Sequence, residues 1–221
     1  MLRLFWILGS FAFACSLGAQ DITLEARRLH LGKAGEWEWE IFKDVPVDAG
    51  KMELRFQANV NTSEHTLRIW QRDVKQSWPV MLNGRRLGVL TLAETALECV
   101  LAVPPGALRD GENVLLIDSP ARLDDIEIGP MHLTLKPVAE AIGGAALLIE
   151  VKDGTHGEAM PCRLTLTRPD GTLQPLQAAP AGDVAVRVGV IYAKNGKARV
   201  SVPPGDYILH AGRGFEWGVA S

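Results

Sequence analysis

The sequence has few cysteines and, beyond its amino terminus, no long apolar run. Cysteine occurs only at Cys15, Cys99 and Cys162, and no two of these have the short spacing of a zinc site. No later segment reaches the roughly 20 apolar residues that a transmembrane helix needs. The sequence therefore predicts neither a zinc module nor a membrane-spanning segment.

An excess of charge of one sign is also missing. The 23 Lys and Arg residues nearly balance the 26 Asp and Glu residues, giving a net charge of -3. This leaves no basic surplus for nucleic-acid phosphates. Hydrophobic residues at 47% and charged residues at 22% are ordinary for a globular protein, so nucleic acid is not expected as a partner.

Signatures of catalysis are lacking as well. The chain contains no Gly-x-Ser-x-Gly nucleophile motif, and residues 32–35, Gly-Lys-Ala-Gly, lack the spacing of a phosphate-binding loop. Glu36, Glu38 and Glu40 alternate on one face of an extended segment, where solvent is their simplest surrounding. The chain as it stands is therefore predicted not to be an enzyme.

The first 19 residues are typical of a secretory signal peptide. Arg3 precedes an apolar run over residues 4–14, and small residues follow up to Ala19. We expect cleavage after Ala19 and export to the periplasm or the extracellular space. The alternative is a lipid anchor on Cys15. The oxidising environment of an exported chain permits a disulfide between Cys99 and Cys162. We nevertheless expect two buried free thiols, since free cysteine packs as a small hydrophobe.

The mature chain is predicted to be all β. In the segment Glu-Trp-Glu-Trp-Glu-Ile-Phe, residues 36–42, apolar and acidic residues alternate, and residues 51–60 repeat that pattern; this period of two indicates half-buried strands. Asn83-Gly84 lies between two apolar runs, a strong hairpin signal. Further short strands, ending near Leu135, predict an antiparallel sandwich over residues 22–136.

A second strand-rich block follows a short linker. Residues 137–145 are small and contain Pro and Gly without clear periodicity, which is typical of a linker. Residues 146–217 then alternate strand patterns with Asp-Gly, Asn-Gly and Gly-Asp turns. This block predicts a second, smaller antiparallel sandwich.

Both blocks resemble known folds. The first, through LRIWQRDVKQSWPVMLNGRRLGVL, VPPGALRDGENVLLI and DDIEIGPMHL, resembles the galactose-binding-domain-like jelly roll. The second, through LTLTRPDGTLQPL and ARVSVPPGDYILHAGRG, resembles the carboxypeptidase-regulatory-like or Cna-B-like sandwich, which is prealbumin-like in architecture. In that resemblance a Pro-Pro-Gly turn leads into a strand.

Together the two blocks resemble the amino-terminal half of secreted metallohydrolases related to the CehA/McbA family. The resemblance implies that such sandwiches precede a metal-dependent hydrolase domain, and that GRGFEW marks the boundary beyond which a longer relative would continue. The hydrolase domain carries a His-x-His motif. Here the five histidines are scattered and none forms that motif, namely His30, His65, His132, His156 and His210.

Trp70, Arg72 and Trp78 are the candidate ligand-binding residues. Aromatic faces stack on sugar CH groups while charged groups bond hydroxyls, and alternation places Trp70 opposite Leu67 and Ile69, on an outward or concave face. The alternative is that these tryptophans belong to the core. Trp37 and Trp39, which share a face with Ile41, are instead predicted to be core residues.

Asp124 and Asp125 are the candidate metal ligands. Adjacent carboxylates with nearby carbonyls suit a hard cation, so a structural calcium is the cofactor that this pair suggests. The alternative is a solvated turn before a strand. No other cofactor is indicated.

Three functional hypotheses remain. The leading one is an exported, non-catalytic binding and spacer module that recognises a glycan or another cell-envelope component. The second is that the chain is the amino-terminal fragment of a metal-dependent hydrolase, covalently fused in relatives to the catalytic domain that is missing here. The third is a structural envelope protein that mediates protein contacts.

Overall fold

The computed structural model describes residues 21–120, 122–178, 182–215 and 217–221. The predicted signal peptide and Cys15 lie outside these residues. Among the described residues, no helix is long and apolar enough to cross a membrane. The described part of the chain is almost entirely β, with sixteen strands: β1 (Asp21–Glu25), β2 (Leu29–Leu31), β3 (Met52–Ala58), β4 (His65–Arg72), β5 (Pro79–Leu82), β6 (Arg85–Val89), β7 (Leu97–Val103), β8 (Gly111–Ile117), β9 (Ile126–Thr134), β10 (Ala145–Glu150), β11 (Cys162–Thr167), β12 (Gln177–Ala178), β13 (Val184–Arg187), β14 (Val190–Ala193), β15 (Lys197–Val202) and β16 (Ile208–Gly212).

Strands β1 to β9 form the N-terminal sandwich. One sheet has the order β1-β9-β4-β7, with β2 also paired to β9, and the other has the order β3-β8-β5-β6. All of these pairings are antiparallel. With the short β2 set aside, the order of the other eight strands is that of a jelly roll. The prediction of an all-β, antiparallel sandwich fold is confirmed.

A hydrophobic core holds the two sheets of the N-terminal sandwich together. Leu67 and Ile69 of β4 point into it, as their alternation with polar residues predicts. The core also receives side chains from both sheets and from the loops, including Leu31, Trp78, Val80, Leu90, Leu115, Ile117, Ile128 and Leu133.

Strands β10 to β16 form the C-terminal sandwich. Its sheets have the orders β10-β15-β12 and β13-β14-β11-β16. A second core lies between them and includes Leu164, Ile191, Val200 and Val202. Alternation in β15 produces one inward face, because Ala198, Val200 and Val202 are buried while the residues between them are more exposed.

The tight turns follow the sequence signals closely. Asn83 and Gly84 connect β5 to β6 with φ angles of 50° and 80°, which is the left-handed backbone that a two-residue hairpin turn requires. Asn195-Gly196 lies in the turn from β14 to β15, which belong to different sheets, and there Gly196 has a φ of 72°. The predicted hairpin is therefore confirmed.

Residues 36–42 are not a strand. They form bends followed by a 3-10 helix at Glu40–Phe42, and Trp37 and Trp39 are 48% and 53% exposed. The backbone N–H of Glu38 donates to the Asp125 carboxylate instead of to a neighbouring strand. The predictions of a half-buried strand and of core positions for these two tryptophans are wrong, because none of the strands that the structure describes pairs with this segment.

A turn of the C-terminal sandwich extends the edge of the N-terminal sandwich. The backbone N–H of Leu173 donates to the Ala96 carbonyl at 2.9 Å, and Leu173 forms a parallel bridge with Leu97 of β7. The Leu173 side chain packs against the core of the N-terminal sandwich. The two sandwiches are thus joined by main-chain pairing as well as by side-chain packing.

Charged side chains reinforce the same junction. Glu98, of which only 5% of the side chain is exposed, accepts hydrogen bonds from Arg68 at 2.9 Å and from Arg168 at 3.0 Å. Arg68 belongs to the N-terminal sandwich and Arg168 to the C-terminal sandwich. One buried carboxylate therefore bridges the two units.

The segment between β9 and β10 contains a short helix, α1 (Val138–Ala141). The Val138 N–H donates to Glu64 Oε1 at 2.9 Å, and Gln177 Nε2 donates to the Ala139 carbonyl at 3.2 Å. The segment that the sequence predicts as a linker thus contacts both sandwiches.

The two cysteines of the described chain do not pair. Cys99 in β7 and Cys162 in β11 are both free and buried, which confirms the prediction of two unpaired thiols. Burial raises the pKa of each thiol, so both favour the neutral form.

Candidate functional site

Trp70 lies at the junction of the sandwiches and is 7% exposed. Its indole N–H donates to Thr172 Oγ1 at 3.0 Å, and the guanidinium of Arg28 lies 4.0 Å from the ring centroid. Alternation places this side chain opposite the core of its own sandwich, but the C-terminal sandwich covers it. Its ring is therefore unavailable for stacking on a sugar, which corrects the predicted role.

Trp78 belongs to the core of the N-terminal sandwich and is 1% exposed. Arg72 lies on the surface with 41% of its side chain exposed, and its guanidinium is 3.4 Å from Glu127 Oε2. The structure does not bring Trp70, Arg72 and Trp78 together on one ligand-facing surface, because the first is at the junction and the last is between the sheets.

Asp124 and Asp125 are both buried. Asp124 Oδ2 accepts hydrogen bonds from the Trp78 indole N–H at 2.9 Å and from the backbone N–H groups of Gln76 and Lys75 at 2.9 and 3.2 Å. These three donors satisfy one carboxylate oxygen. The solvated-turn alternative for Asp124 is therefore wrong, and the indole N–H of Trp78 is already bound to this carboxylate.

Asp125 anchors a different part of the chain. Its Oδ2 accepts from the backbone N–H of Glu38, and its Oδ1 lies 3.6 Å from His30 Nε2. A Cβ added at Gly32 would lie 2.0 Å from Asp125 Oδ1, so only glycine leaves room for this carboxylate. Asp125 thus holds residues that are far from it in sequence.

The ammonium of Lys75 is the cation of this region. Its Nζ lies 3.0 Å from Asp73 Oδ1, 3.2 Å from Glu38 Oε2 and 3.8 Å from Asp124 Oδ1. We call Glu38, Asp73, Asp124 and Asp125, with Lys75, the carboxylate cluster. Across the described part of the chain, no three His, Cys, Asp or Glu side chains are placed to hold a metal ion. The distances from Lys75 support an internal ion-pair network here, and the calcium site at Asp124 and Asp125 stays a prediction.

Burial and neighbouring charge shift two groups of the carboxylate cluster. Burial raises the pKa of Glu38, and the Asp124 carboxyl raises it further, while Lys75 opposes both effects. Burial acts to lower the pKa of Lys75, but hydrogen bonds and charge from Asp73 and Glu38 outweigh it, and the pKa is raised. Lys75 therefore stays charged, and Glu38 keeps its proton to a higher pH than an ordinary glutamate does.

Above the carboxylate cluster lies a loop that displays aromatic residues. We call residues 33–48 the aromatic loop. Its outward side chains include Trp37 and Trp39, about half exposed, together with Ile41 at 53% and Val45 at 41%. Lys75 Nζ lies 5.7 Å from the Trp39 ring centroid, close enough for a cation–π contact. Large apolar side chains thus face solvent on one side while charged groups are buried beneath them.

Several contacts fix the aromatic loop in place. The buried Phe42 ring stacks on His30 with 4.7 Å between ring centroids. The His30 backbone N–H donates to Asp48 Oδ2 at 2.8 Å, and the Asp48 N–H donates to the His30 carbonyl at 2.9 Å. Together with the bond from the Glu38 N–H to Asp125, these contacts fix the loop at Glu38, Phe42 and Asp48.

A cleft of about 390 Å³ opens between the aromatic loop and the segment before β9. Such a volume suits a small ligand. Its walls carry basic, acidic and apolar groups from Lys33, Glu36, Trp78, Arg122, Leu123 and Asp124. The cleft and the aromatic loop form the candidate functional site, to which the predicted residues Trp78 and Asp124 contribute only a buried wall.

Sequence reasoning missed Trp37 and Trp39 as candidate functional residues. The available signal was the flanking turn chemistry: Gly35, which adopts a φ of 81°, precedes them, and Pro46 follows. These residues bound a loop, whereas the alternation between them favours a strand.

No family model matches the chain, and no curated protein matches it.

Proposed function

We propose that this protein is an exported, non-catalytic binding and spacer module whose ligand surface is the aromatic loop together with its cleft. The observation that carries the proposal is the exposure of Trp37 and Trp39 on a loop whose backbone is fixed from below. Large exposed aromatic side chains at a surface favour recognition. A fixed loop binds with little loss of conformational entropy.

Carbohydrate is the ligand class that this surface suits best. Indole faces stack on the CH groups of a pyranose ring, and two tryptophans two residues apart on a bent loop present two such faces. Lys33, Glu36 and Arg122 line the cleft beside them and offer donors and acceptors for hydroxyl groups. Apolar ring faces lie here beside both acidic and basic side chains. Such a surface suits a neutral sugar better than a polymer that carries many charges of one sign.

The junction supports the spacer role. Main-chain pairing through Leu173 and the carboxylate bridge at Glu98 join the sandwiches. A junction of this kind sets the distance and the orientation between the ligand surface and whatever the C-terminal sandwich contacts. In a flexible linker this geometry would be lost.

The direct test is a glycan array probed with the chain and three variants. We expect one class of neutral glycan to bind, and Trp37→Ala and Trp39→Ala each to weaken that binding at least about tenfold, as loss of an aromatic anchor does. Trp217→Ala is the matched control, because Trp217 is 42% exposed but lies on the C-terminal sandwich. Absence of any glycan binding, or equal binding by all variants, would overturn the proposal.

Export and fusion to a hydrolase domain stay predictions with separate tests. Sequencing the amino terminus of the native protein distinguishes cleavage after Ala19 from lipidation of Cys15. An immunoblot with an antibody against residues 20–221 measures the size of the native polypeptide. A band at or slightly below 24.0 kDa, the mass of the uncleaved chain, favours a module that acts alone, and a much larger band favours fusion to a further domain.

A further inference from the structure

The outer face of the sheet β13-β14-β11-β16 carries a groove of about 590 Å³. Arg163 of β11 stands in register with Tyr192 of β14 on one side and with Gly212 of β16 on the other. Tyr192 is in turn paired with Ala185 of β13. One row across the four strands therefore consists of Ala185, Tyr192, Arg163 and Gly212. The small residues at its two ends leave space beside the long side chains of Tyr192 and Arg163.

The side chains of this row point away from the core. The neighbours Leu164 and Ile191 are fully buried, so alternation directs Arg163 and Tyr192 outward. Arg163 is exposed and Tyr192 is 44% exposed. One face of an aromatic ring and one guanidinium are therefore presented side by side.

Positive charge prevails in the groove, which we call the basic groove. Three cationic residues line it, Arg163, Lys194 and Arg213, while Asp183 is the one acidic residue among the described lining. Lys194 Nζ lies 4.0 Å from Asp183 Oδ1 with 79% of its side chain exposed, which makes this a weak surface pair. The guanidinium of Arg213 lies 4.9 Å from the centroid of the Trp217 ring. This cation–π contact does not neutralise the positive charge of Arg213.

Within the described residues, Arg163 forms no salt bridge. Its guanidinium thus keeps its fork of N–H donors available for a planar anion. The guanidiniums at the sandwich junction differ, because Arg68 and Arg168 are both bound to Glu98.

We propose that the basic groove is a second binding site and that it takes an acidic oligosaccharide, with a carboxylate on Arg163, further acid groups near Lys194, and a sugar ring on Tyr192. The charge of the lining selects an anion, and the open groove beside an aromatic face suits an extended chain of rings. This site is on the C-terminal sandwich and stands whether or not the aromatic loop binds a ligand.

The test uses the full chain and two probes of equal length, a tetramer of galacturonic acid and the neutral galactose tetramer. We expect calorimetry at low salt to show the acidic probe binding at least about tenfold more tightly than the neutral one. Binding should weaken as ionic strength rises, since exposed charges are screened. Arg163→Gln and Lys194→Gln should each weaken it about five- to tenfold.

Two controls separate this site from the rest of the protein. Arg199→Gln removes an exposed arginine of β15, on the other sheet of the same sandwich, and should leave binding of the acidic tetramer unchanged. The variant Trp37→Ala/Trp39→Ala should also keep full affinity for the acidic tetramer. Failure of the glycan array with neutral sugars would therefore not count against the basic groove.

Three results would overturn the proposal. The first is equal affinity of the Trp37→Ala/Trp39→Ala variant, which lacks the proposed neutral-glycan site, for the acidic and neutral tetramers. The second is unchanged affinity in the Arg163→Gln variant while circular dichroism shows an intact fold. The third is Arg163-dependent binding to phosphatidylglycerol vesicles or to a poly-glutamate peptide without binding to the acidic tetramer, which would assign the groove to another class of partner.

Discussion

Two regions of the protein carry pairs of tryptophans and use them in opposite ways. In the aromatic loop, Trp37 and Trp39 face solvent while the polar groups around Glu38 are buried. In and near β4, Trp70 and Trp78 are buried, and each donates its indole N–H to a buried oxygen acceptor. Whether a tryptophan side chain of these two pairs is exposed thus depends on which distant segments of the chain pack against it, not on its residue type.

The carboxylate cluster links the two regions. Asp124 receives the Trp78 indole, and its neighbour Asp125 receives the backbone of the aromatic loop. Lys75 neutralises part of the cluster and also lies beside Trp39. Removal of the cation should therefore weaken the fold, while removal of the exposed tryptophans should weaken ligand binding with little effect on stability.

The largest effect is expected from Lys75→Met, which keeps most of the side-chain volume and removes the charge. Asp73, Asp124 and Glu38 would lose their common cation, and breaking a buried pair in this way costs about 3 kcal/mol. Urea unfolding at pH 7 measures the loss. Lys197→Met, at an ion pair with 61% of the lysine side chain exposed, should cost little, and equal losses in both variants would contradict the account.

The next effect is expected from Trp78→Phe. The change removes the indole donor to Asp124 Oδ2 and leaves a small void in the core, so the free energy of unfolding should fall by about 2 kcal/mol. Trp217→Phe at the surface should leave it unchanged within error. A thermal melt of both variants measures the difference, and a Trp78 variant that melts like the parent would show that the hydrogen bond contributes little.

A smaller effect that depends on pH is expected from Glu38→Gln. Since the pKa of Glu38 is raised above its usual 4.5, the folded protein binds this proton more tightly than the unfolded chain. Its contribution to stability is full below about pH 4.5 and is lost as pH rises through the raised pKa. Glutamine is neutral throughout, so the variant should be more stable at pH 7 by about 1 kcal/mol or less.

The control for this variant is Glu36→Gln, whose side chain is 52% exposed. Melting temperatures between pH 4 and pH 8 give the comparison. The gap between Glu38→Gln and the parent should close towards pH 4, where Glu38 is protonated. A variant that is less stable than the parent at pH 7 would mean that the ion pair with Lys75 outweighs burial.

The smallest effect on stability is expected from Trp37→Ala and Trp39→Ala. Both side chains are about half exposed, so the free energy of unfolding should change by about 0.5 kcal/mol or less. Differential scanning calorimetry measures it. A large loss in either variant would show that the indole packs as part of the fold and would weaken its role as a ligand contact.

Local sequence was sufficient for most of the fold. Alternation placed Leu67 and Ile69 in the core, and Asn83-Gly84 marked a hairpin because both residues accept a positive φ. These features depend on neighbours in sequence. The apolar periodicity of β3, β4 and β15 likewise comes from residues that share one strand.

The candidate site depended on contacts that local sequence does not contain. Asp125 takes the N–H of Glu38 from 87 positions away, which turns an alternating segment into a loop. Trp70 was correctly placed opposite the core, yet Thr172 covers it from 102 positions away. Periodicity predicts which face a residue occupies, but not what packs on that face.

The most direct measurement of the central claim is a ¹⁵N–¹H spectrum of the tryptophan indoles, recorded with and without the best-binding neutral glycan from the array. We expect the Trp37 and Trp39 indole signals to shift with glycan and to exchange rapidly with deuterium in its absence, while those of Trp70 and Trp78 stay unshifted and protected. Shifts confined to Trp70 or Trp78, or protection of Trp37 and Trp39 in the free protein, would contradict the assignment of the aromatic loop as the ligand surface.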